Sequence, residues 1–290
     1  MNLTRRSALT LLAAQSVAFS ANAAAKIRIV AAENMYGDIA SQIGGSLVSV
    51  SSILNNPNQD PHLFTTSPSV AIGLAGANIV IVNGADYDPW MAGLLAAEPS
   101  PRRIVITIAD LLGRKPGDNP HLWYDPQAIP DLSQRLLHAL QQLDPGNATE
   151  YQHNAAALLT SLTPIHARMA ALRAKFAGTP VTATEPVFGL MAGAIGLNMR
   201  NLRFQIAVMN DTEPAPSDVA AFEDDLRTKK VRILFYNSQV TDDLTSNLLN
   251  IAHQSGVAVV GVTETEPAGM NYQAWMTYGL NGVERALTPQ

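Results

Sequence analysis

"NATEYQHNAAALLTSLTPIHARMAALRAKFAGTP", residues 147–180, separates two stretches of a different character. Its apolar positions Tyr151, Ala155, Leu158, Leu162, Ile165, Met169, Leu172 and Phe176 recur every three or four residues, the period of one helical face. Gly178 and Pro180 stop the pattern, as expected at a helix C-terminus. About 30 residues at ~1.5 Å each make a rod on the order of 45 Å long, enough to act as a stiff spine across two lobes. On its N-terminal side, "KIRIVAA" (26–32), "VSVSSIL" (48–54), "NIVIVNG" (78–84) and "RIVITIA" (103–109) read as strands. On its C-terminal side the strand candidates are "PVTATE" (180–185), "RFQIAVM" (203–209), "RILFYN" (232–237) and "VAVVGVT" (257–263). Helical patterns at 35–43, 69–75, 127–142, 217–228, 241–254 and 271–287 lie between or beside them. Apolar strands without strict alternation, separated by helices, predict parallel sheets covered on both faces.

The fold class expected is therefore α/β: two lobes with mostly parallel sheets, joined by one long spanning helix, with a site in the cleft between them. Residues 26–145 form the first lobe, 146–178 the linking helix and 179–290 the second lobe. Residues 1–25, "MNLTRRSALTLLAAQSVAFSANAAA", have a basic start, an apolar run and a small-residue end, the layout of a signal peptide. "TRRSALTLL" also resembles a twin-arginine signal. Export to the periplasm is the expectation. The net charge of −5, spread without long runs of one sign, argues against a nucleic-acid partner. The chain has no cysteine, so any metal site must use nitrogen and oxygen ligands.

Two loops share an unusual wording. "NPNQDPHL" (56–63) and "DNPHLWYD" (118–125) each hold a histidine after proline and before leucine, amid small polar residues that favour turns. A single loop histidine is ordinarily a solvated surface residue. Two in matched settings, His62 and His121, point to a shared task. In the second lobe Glu185 follows the strand "VTAT" and Glu264 follows "VVGVT". Carboxyl ends of strands in open parallel sheets are where such folds bind ligands. Two imidazoles and two carboxylates suit a divalent first-row metal. Glu185 could instead serve the start of the next helix, and Glu266 competes with Glu264. His138, His153, His166 and His253 lie within helical patterns and read as surface or packing residues. Asn119 and Asp60, two residues before their histidines, are placed to fix the loops by turn hydrogen bonds. Tyr236, Asn237 and Ser238 end a strand and can support the ligands from behind.

The order of "DPHLFTTSPS" (60–69), "NGADYDPWM" (83–91), "NPHLWYDP" (119–126), "TEPVFGLMAGAIGLN" (184–198), "NDTEPAPSDVAAFEDDL" (210–226) and "YQAWMTYGLNGVERAL" (272–287) resembles the solute-binding proteins of bacterial zinc/manganese ABC importers. The resemblance covers nearly the whole chain after residue 25. It implies two α/β lobes joined by a long helix, one metal ion between them, and an inner-membrane permease as partner. His62 and His121 match the family's two first-lobe histidine ligands. Glu185 stands where many zinc members have a third histidine and manganese members often have glutamate, and Glu264 falls near the family's final carboxylate. The chain departs from the family in lacking a His-rich loop between His62 and His121. It also has Asn237 where glutamate is common, and Glu rather than Asp as the final carboxylate. Two carboxylates without a third imidazole put Mn²⁺ narrowly ahead of Zn²⁺, with Fe²⁺ a further candidate.

The function expected is thus binding of one divalent transition metal and its delivery to an ABC permease, by a monomer that is not an enzyme. The other readings are a soluble metallochaperone, an adhesin, or a secreted metallohydrolase using Asp60, Asp125 or Asp211 as general base. No "HExxH" and no Gly-x-Ser-x-Gly elbow accompanies the last of these.

Overall fold

The structure, a computed structural model, describes residues 25–56, 64–240 and 242–288. The expected signal peptide, the loop bearing His62 and Asp60, and the final two residues lie outside the described residues.

The first sheet contains β1 (Ile27–Glu33), β2 (Val48–Leu54), β3 (Ile79–Val82) and β4 (Ile104–Thr107), all parallel, in the order β2-β1-β3-β4. β3 reads Ile-Val-Ile-Val and is buried along its whole length, as expected of a strand covered on both faces. α1 (Asn34–Gly44), α2 (Pro68–Ala75), α3 (Trp90–Ala97) and the short α4 (Ile108–Leu111) follow these strands in turn. α5 (Ala128–Leu143) then leads into α6 (Ala148–Phe176).

α6 is the helix that the spacing predicts. Tyr151, Ala155, Leu158, Leu162, Ile165, Met169 and Leu172 form its buried stripe. It runs through Pro164, whose missing N–H leaves the Thr160 carbonyl without its usual helical donor. Both halves of the molecule grip it. Asn154 Nδ2 donates to the Ile43 carbonyl of α1 at 3.1 Å, and Arg173 Nη1 donates to the Ala194 carbonyl at 3.0 Å.

The second sheet repeats the first. β5 (Pro180–Ala183), β6 (Asn198–Met199), β7 (Ile233–Asn237) and β8 (Ala258–Val262) are parallel and ordered β6-β5-β7-β8. Between them lie α7 (Gly189–Ala194), α8 (Leu202–Met209), α9 (Pro216–Arg227) and α10 (Asp243–Ser255), with α11 (Tyr272–Leu287) closing the chain. α10 starts on a reciprocal cap: Asp242 accepts the Thr245 N–H at 2.6 Å, and Thr245 Oγ1 accepts the Asp242 N–H at 3.1 Å.

One strand expectation is corrected. "RFQIAVM" is helix α8, and the edge strand is the two-residue β6. A strand would put Phe204, Ile206 and Val208 on one face. In the helix Phe204 is fully buried against Phe222, with centroids 4.7 Å apart, Val208 packs beside it, and Ile206 is exposed. The fourth-residue spacing satisfies the neighbouring core where alternation would not. α3 and α4 were not legible in the sequence, and the "RIVITIA" strand ends at Thr107.

The halves share one continuous core. Ile29 and Ile81 of the first sheet, Trp123, Phe188, and Phe235 of the second belong to a single buried cluster. Rings carry it across: Tyr87 to Trp123 at 4.9 Å, Tyr124 to Phe188 at 5.0 Å, and Phe188 to Phe235 at 4.9 Å. Tyr272 Oη donates to the Trp123 carbonyl at 2.8 Å, and Tyr124 Oη to the Thr263 carbonyl at 3.0 Å. Trp123 is therefore core, while the half-buried Trp90 packs on Phe64 at 4.5 Å.

Candidate metal centre

Three of the four sequence-predicted ligands converge where the carboxyl ends of the two sheets meet. His121 and Glu264 are fully buried, and Glu185 is 2% exposed. Glu185 lies two residues beyond β5, and Glu264 two residues beyond β8. His121 is further from its strand than the sequence suggests, because α4 and a polar loop intervene after β4. His62 lies outside the described residues.

Asn119 orients His121. Its Oδ1 receives the His121 backbone N–H at 3.0 Å and lies 2.8 Å from His121 Nδ1, while its Nδ2 donates to the Pro186 carbonyl at 2.7 Å. The Pro186 contact identifies the Nδ2 end, so Oδ1 is an acceptor and His121 Nδ1 must carry the proton. In the neutral ring Nε2 then keeps the lone pair, the state a metal-binding imidazole requires. Gly189 makes room for this amide, since a Cβ there would stand 2.9 Å from Asn119 Nδ2.

His121 Nε2 and Glu264 Oε2 are 3.5 Å apart. Two donors each ~2.1 Å from one ion, at a near-tetrahedral angle, would be separated by roughly 3.4 Å. Tyr87 Oη donates to the same Glu264 oxygen at 3.1 Å. Burial and the charge of Glu264 raise the Tyr87 pKa, which keeps that hydroxyl a donor. The turn that brings Tyr87 here passes through Gly84, Ala85 and Asp86, all with positive φ. The two non-glycine residues each cost about 1–2 kcal/mol of backbone strain.

Glu185 reaches this group through Asn237, whose Nδ2 donates to Glu185 Oε2 and, at 2.7 Å, to Glu264 Oε1. Glu185 makes no cap hydrogen bond to the helical turn that begins at Pro186. Gln239 Oε1 receives the backbone N–H of Glu264 at 2.5 Å and of Thr265 at 3.2 Å, holding the loop after β8. Of the three strand-end residues singled out in the sequence, Asn237 is the one that contacts both carboxylates. Ser238 instead bonds the Val262 carbonyl at 3.4 Å. Among the described residues no three His, Asp or Glu side chains stand at metal-binding spacing by themselves. His121 and Glu264 form a pair, with Glu185 one amide away.

The backbone of Glu266 is tied to α1. Its backbone N–H donates to Asn34 Oδ1 at 2.9 Å, and its carbonyl accepts Asn34 Nδ2 at 2.8 Å. Burial, reinforced by Asp38, pushes its carboxyl pKa up to about 8. The four other histidines are exposed on α5, α6 and α10. Asp125 is bound to Arg114 at 2.8 Å, and Asp211 is exposed, so neither serves as a base at this centre.

A second acid pair lies in the first half, and sequence reasoning missed it. Glu33, the last residue of β1, is fully buried, and neither carboxyl oxygen receives an N–H or O–H from a neighbouring residue. Burial and the charge of Asp88 raise its pKa well above the ordinary glutamate range. Asp88 accepts the Asn83 and Gly84 backbone N–H groups, each at 2.8 Å. Those donors oppose the effect of burial at Asp88, so Glu33 is the member that keeps the proton. The available signals were a glutamate at a strand end and Asp88 within "NGADYDPWM".

Two similar α/β sheets are gripped by one long helix, with a histidine and carboxylates enclosed between their carboxyl ends. The chain belongs to the zinc-uptake complex component A, periplasmic, family, whose sequence profile matches residues 29–286. Members are substrate-binding components of ABC importers and are not enzymes, which excludes the metallohydrolase reading. The chain is similar to the manganese ABC transporter substrate-binding lipoprotein PsaA of Streptococcus pneumoniae, 22% identical over 302 residues covering 97% of this chain and 96% of that protein. It is also similar to the iron-binding protein YfeA of Yersinia pestis, 24% identical over 230 residues covering 76% and 72% of the two chains. Among solved structures it shares the fold of the periplasmic zinc binding protein TroA from Treponema pallidum, with a TM-score of 0.77, 18% identity, and coverage of 91% of this chain and 100% of that one.

Proposed function

We propose that this protein is the metal-binding receptor of an ABC importer, taking up one divalent transition metal ion and presenting it to a membrane permease. The observation that carries the reading is the pair His121 Nε2 and Glu264 Oε2, buried and 3.5 Å apart, with Asn119 dictating the tautomer. In this reading His121 and Glu264 bind the ion together with Glu185 and His62. Two imidazoles and two carboxylates bring two negative charges to a divalent cation. The relatives named above are described with manganese, iron and zinc. On donor hardness alone the set puts Mn²⁺ narrowly ahead of Zn²⁺, with Fe²⁺ third. The protein works as a monomer on the outer side of the inner membrane, in the periplasm.

Competition titrations with Mn²⁺ and Zn²⁺ test the ligand set. His62→Ala and His121→Ala should each weaken binding by more than about 100-fold, beyond what loss of a supporting residue costs, with the fold retained by circular dichroism. Wild-type affinity in either variant would remove that histidine from the set.

A further inference from the structure

Asn237 stands on β7, the strand between β5 and β8, so the sheet order itself sets it between Glu185 and Glu264. It is 1% exposed, and both ends of its side-chain amide are engaged. Its backbone N–H donates to Thr184 Oγ1 at 3.1 Å, and its Oδ1 accepts the Gln239 N–H at 3.1 Å. That last contact identifies the oxygen of the amide, so the other atom is the NH₂ group. Its two hydrogens are divided between two acids, one to Glu185 Oε2 and one to Glu264 Oε1. The opposite oxygen of Glu264, Oε2, is the one beside His121 Nε2. One amide therefore holds one oxygen of each carboxylate, and for Glu264 it is the oxygen on the side away from the imidazole.

From this geometry we infer that Asn237 is a specificity-determining positioning residue: by occupying one oxygen of each carboxylate, it restricts Glu185 and Glu264 to one metal bond apiece. The inference rests on the ligand set of the proposed function. A carboxylate can bind an ion through one oxygen or both, and the choice sets the coordination number. With both limited to one oxygen, two imidazoles and two carboxylates give four bonds. Zinc is satisfied by four, whereas Mn²⁺ prefers about six, mostly oxygen, ligands. The donors are hard enough for manganese, but the clamp withholds the extra oxygens it would use. Tyr87 donates to the other oxygen of Glu264, Oε2, and so fixes the rotation of that carboxylate from the imidazole side. An amide suits the role because it gives two hydrogens to two anions without adding charge. A carboxylate at 237 would repel both.

The test uses Co²⁺ as a probe, because four-coordinate Co²⁺ absorbs visible light far more strongly than five- or six-coordinate Co²⁺. X-ray absorption of the Zn²⁺- and Co²⁺-loaded wild-type protein supplies the coordination number directly. Four nitrogen and oxygen neighbours and an intense visible band are expected. Asn237→Leu, close in volume but without donors, should weaken the cobalt band, and should raise the Mn²⁺-to-Zn²⁺ affinity ratio by about tenfold. A purely structural role would lower the affinity for both ions together and leave the ratio and the band unchanged. Five or six neighbours in the wild-type protein would overturn the inference without any variant, leaving the metal-receptor reading intact. A wild-type protein that binds neither Co²⁺ nor Zn²⁺ would overturn both.

Discussion

The two halves of the molecule place the same residue types at the same points and use them for opposite ends. β1 and β5 hold equivalent places in their sheets, and a buried glutamate ends or closely follows each, Glu33 and Glu185. β3 and β7 lie next to them, and each has an asparagine at its carboxyl end, Asn83 and Asn237. In the second half the amide nitrogen turns to the acids and bridges Glu185 and Glu264. In the first half it turns away. Asn83 Nδ2 donates to the Gly84 and Pro120 carbonyls at 2.9 and 2.8 Å, and its Oδ1 accepts the Tyr36 hydroxyl at 2.6 Å. Asn83 thus braces the loop that carries His121, and Glu33 is left to share a proton with Asp88. Equivalent topology brings carboxylates together in both halves. The direction of one amide separates a pair held by hydrogen bonds from a pair that shares a proton.

The sharpest way to break this comparison is to remove acids one at a time. Glu264→Ala should weaken metal binding by more than about 100-fold, whereas Glu266→Ala and Glu33→Gln should bind Mn²⁺ and Zn²⁺ like the wild type. A large loss in Glu266→Ala, with Glu264→Ala unaffected, would transfer the fourth position to Glu266. A loss in Glu33→Gln would make the first-half pair part of the metal centre.

Asn119→Ala tests the brace on the imidazole at a smaller scale. It removes the acceptor of the Nδ1 proton and the link to the Pro186 carbonyl, and should cost about 10- to 100-fold in metal affinity with the fold retained. Gly189→Ala presses on the same amide and should reproduce part of that loss. Unchanged affinity in a competition titration of Asn119→Ala would show that the ring is held by packing alone.

The smallest effect concerns stability of the metal-free protein. The Glu33 pKa is raised by folding, so above the ordinary glutamate range, near 4.5, the folded chain holds a proton that the unfolded chain has released. Stability contributed by this group is full below that range and is lost as pH rises from it through the raised folded-state pKa. Glu33→Gln, which keeps a donor for Asp88 without a titrating group, should raise Tm by a few degrees at pH 7–8, the equivalent of about 1 kcal/mol. It should change little near pH 4. Thermal melts in chelator across that range measure it, and a variant whose melts parallel the wild type at every pH would return the proton to Asp88.

Much of this protein is legible in the sequence because the relevant signals are local. The stripe from Tyr151 to Leu172 announces α6, the buried Ile-Val-Ile-Val of β3 announces a covered parallel strand, and Asn-Pro-His-Leu announces His121 on a polar loop that Asn119 can fix. Each depends on residues within a few positions of one another. What tertiary structure alone decided depends on strand order. Glu185, Asn237 and Glu264 are separated by 52 and 27 positions, and they meet because β7 lies between β5 and β8. Glu264 and Glu266 are equivalent in the sequence, and only the folded chain binds Asn34, 232 residues earlier, to the backbone of Glu266 while Asn237 and Tyr87 bind the carboxylate of Glu264. Alternation and helical period are equally consistent with "RFQIAVM", and the pocket around Phe222 chose the helix. Periodicity records which face of an element is buried. The partner across that face is determined by packing, so the proton on Glu33 and the amide between the two acids could come only from the folded chain.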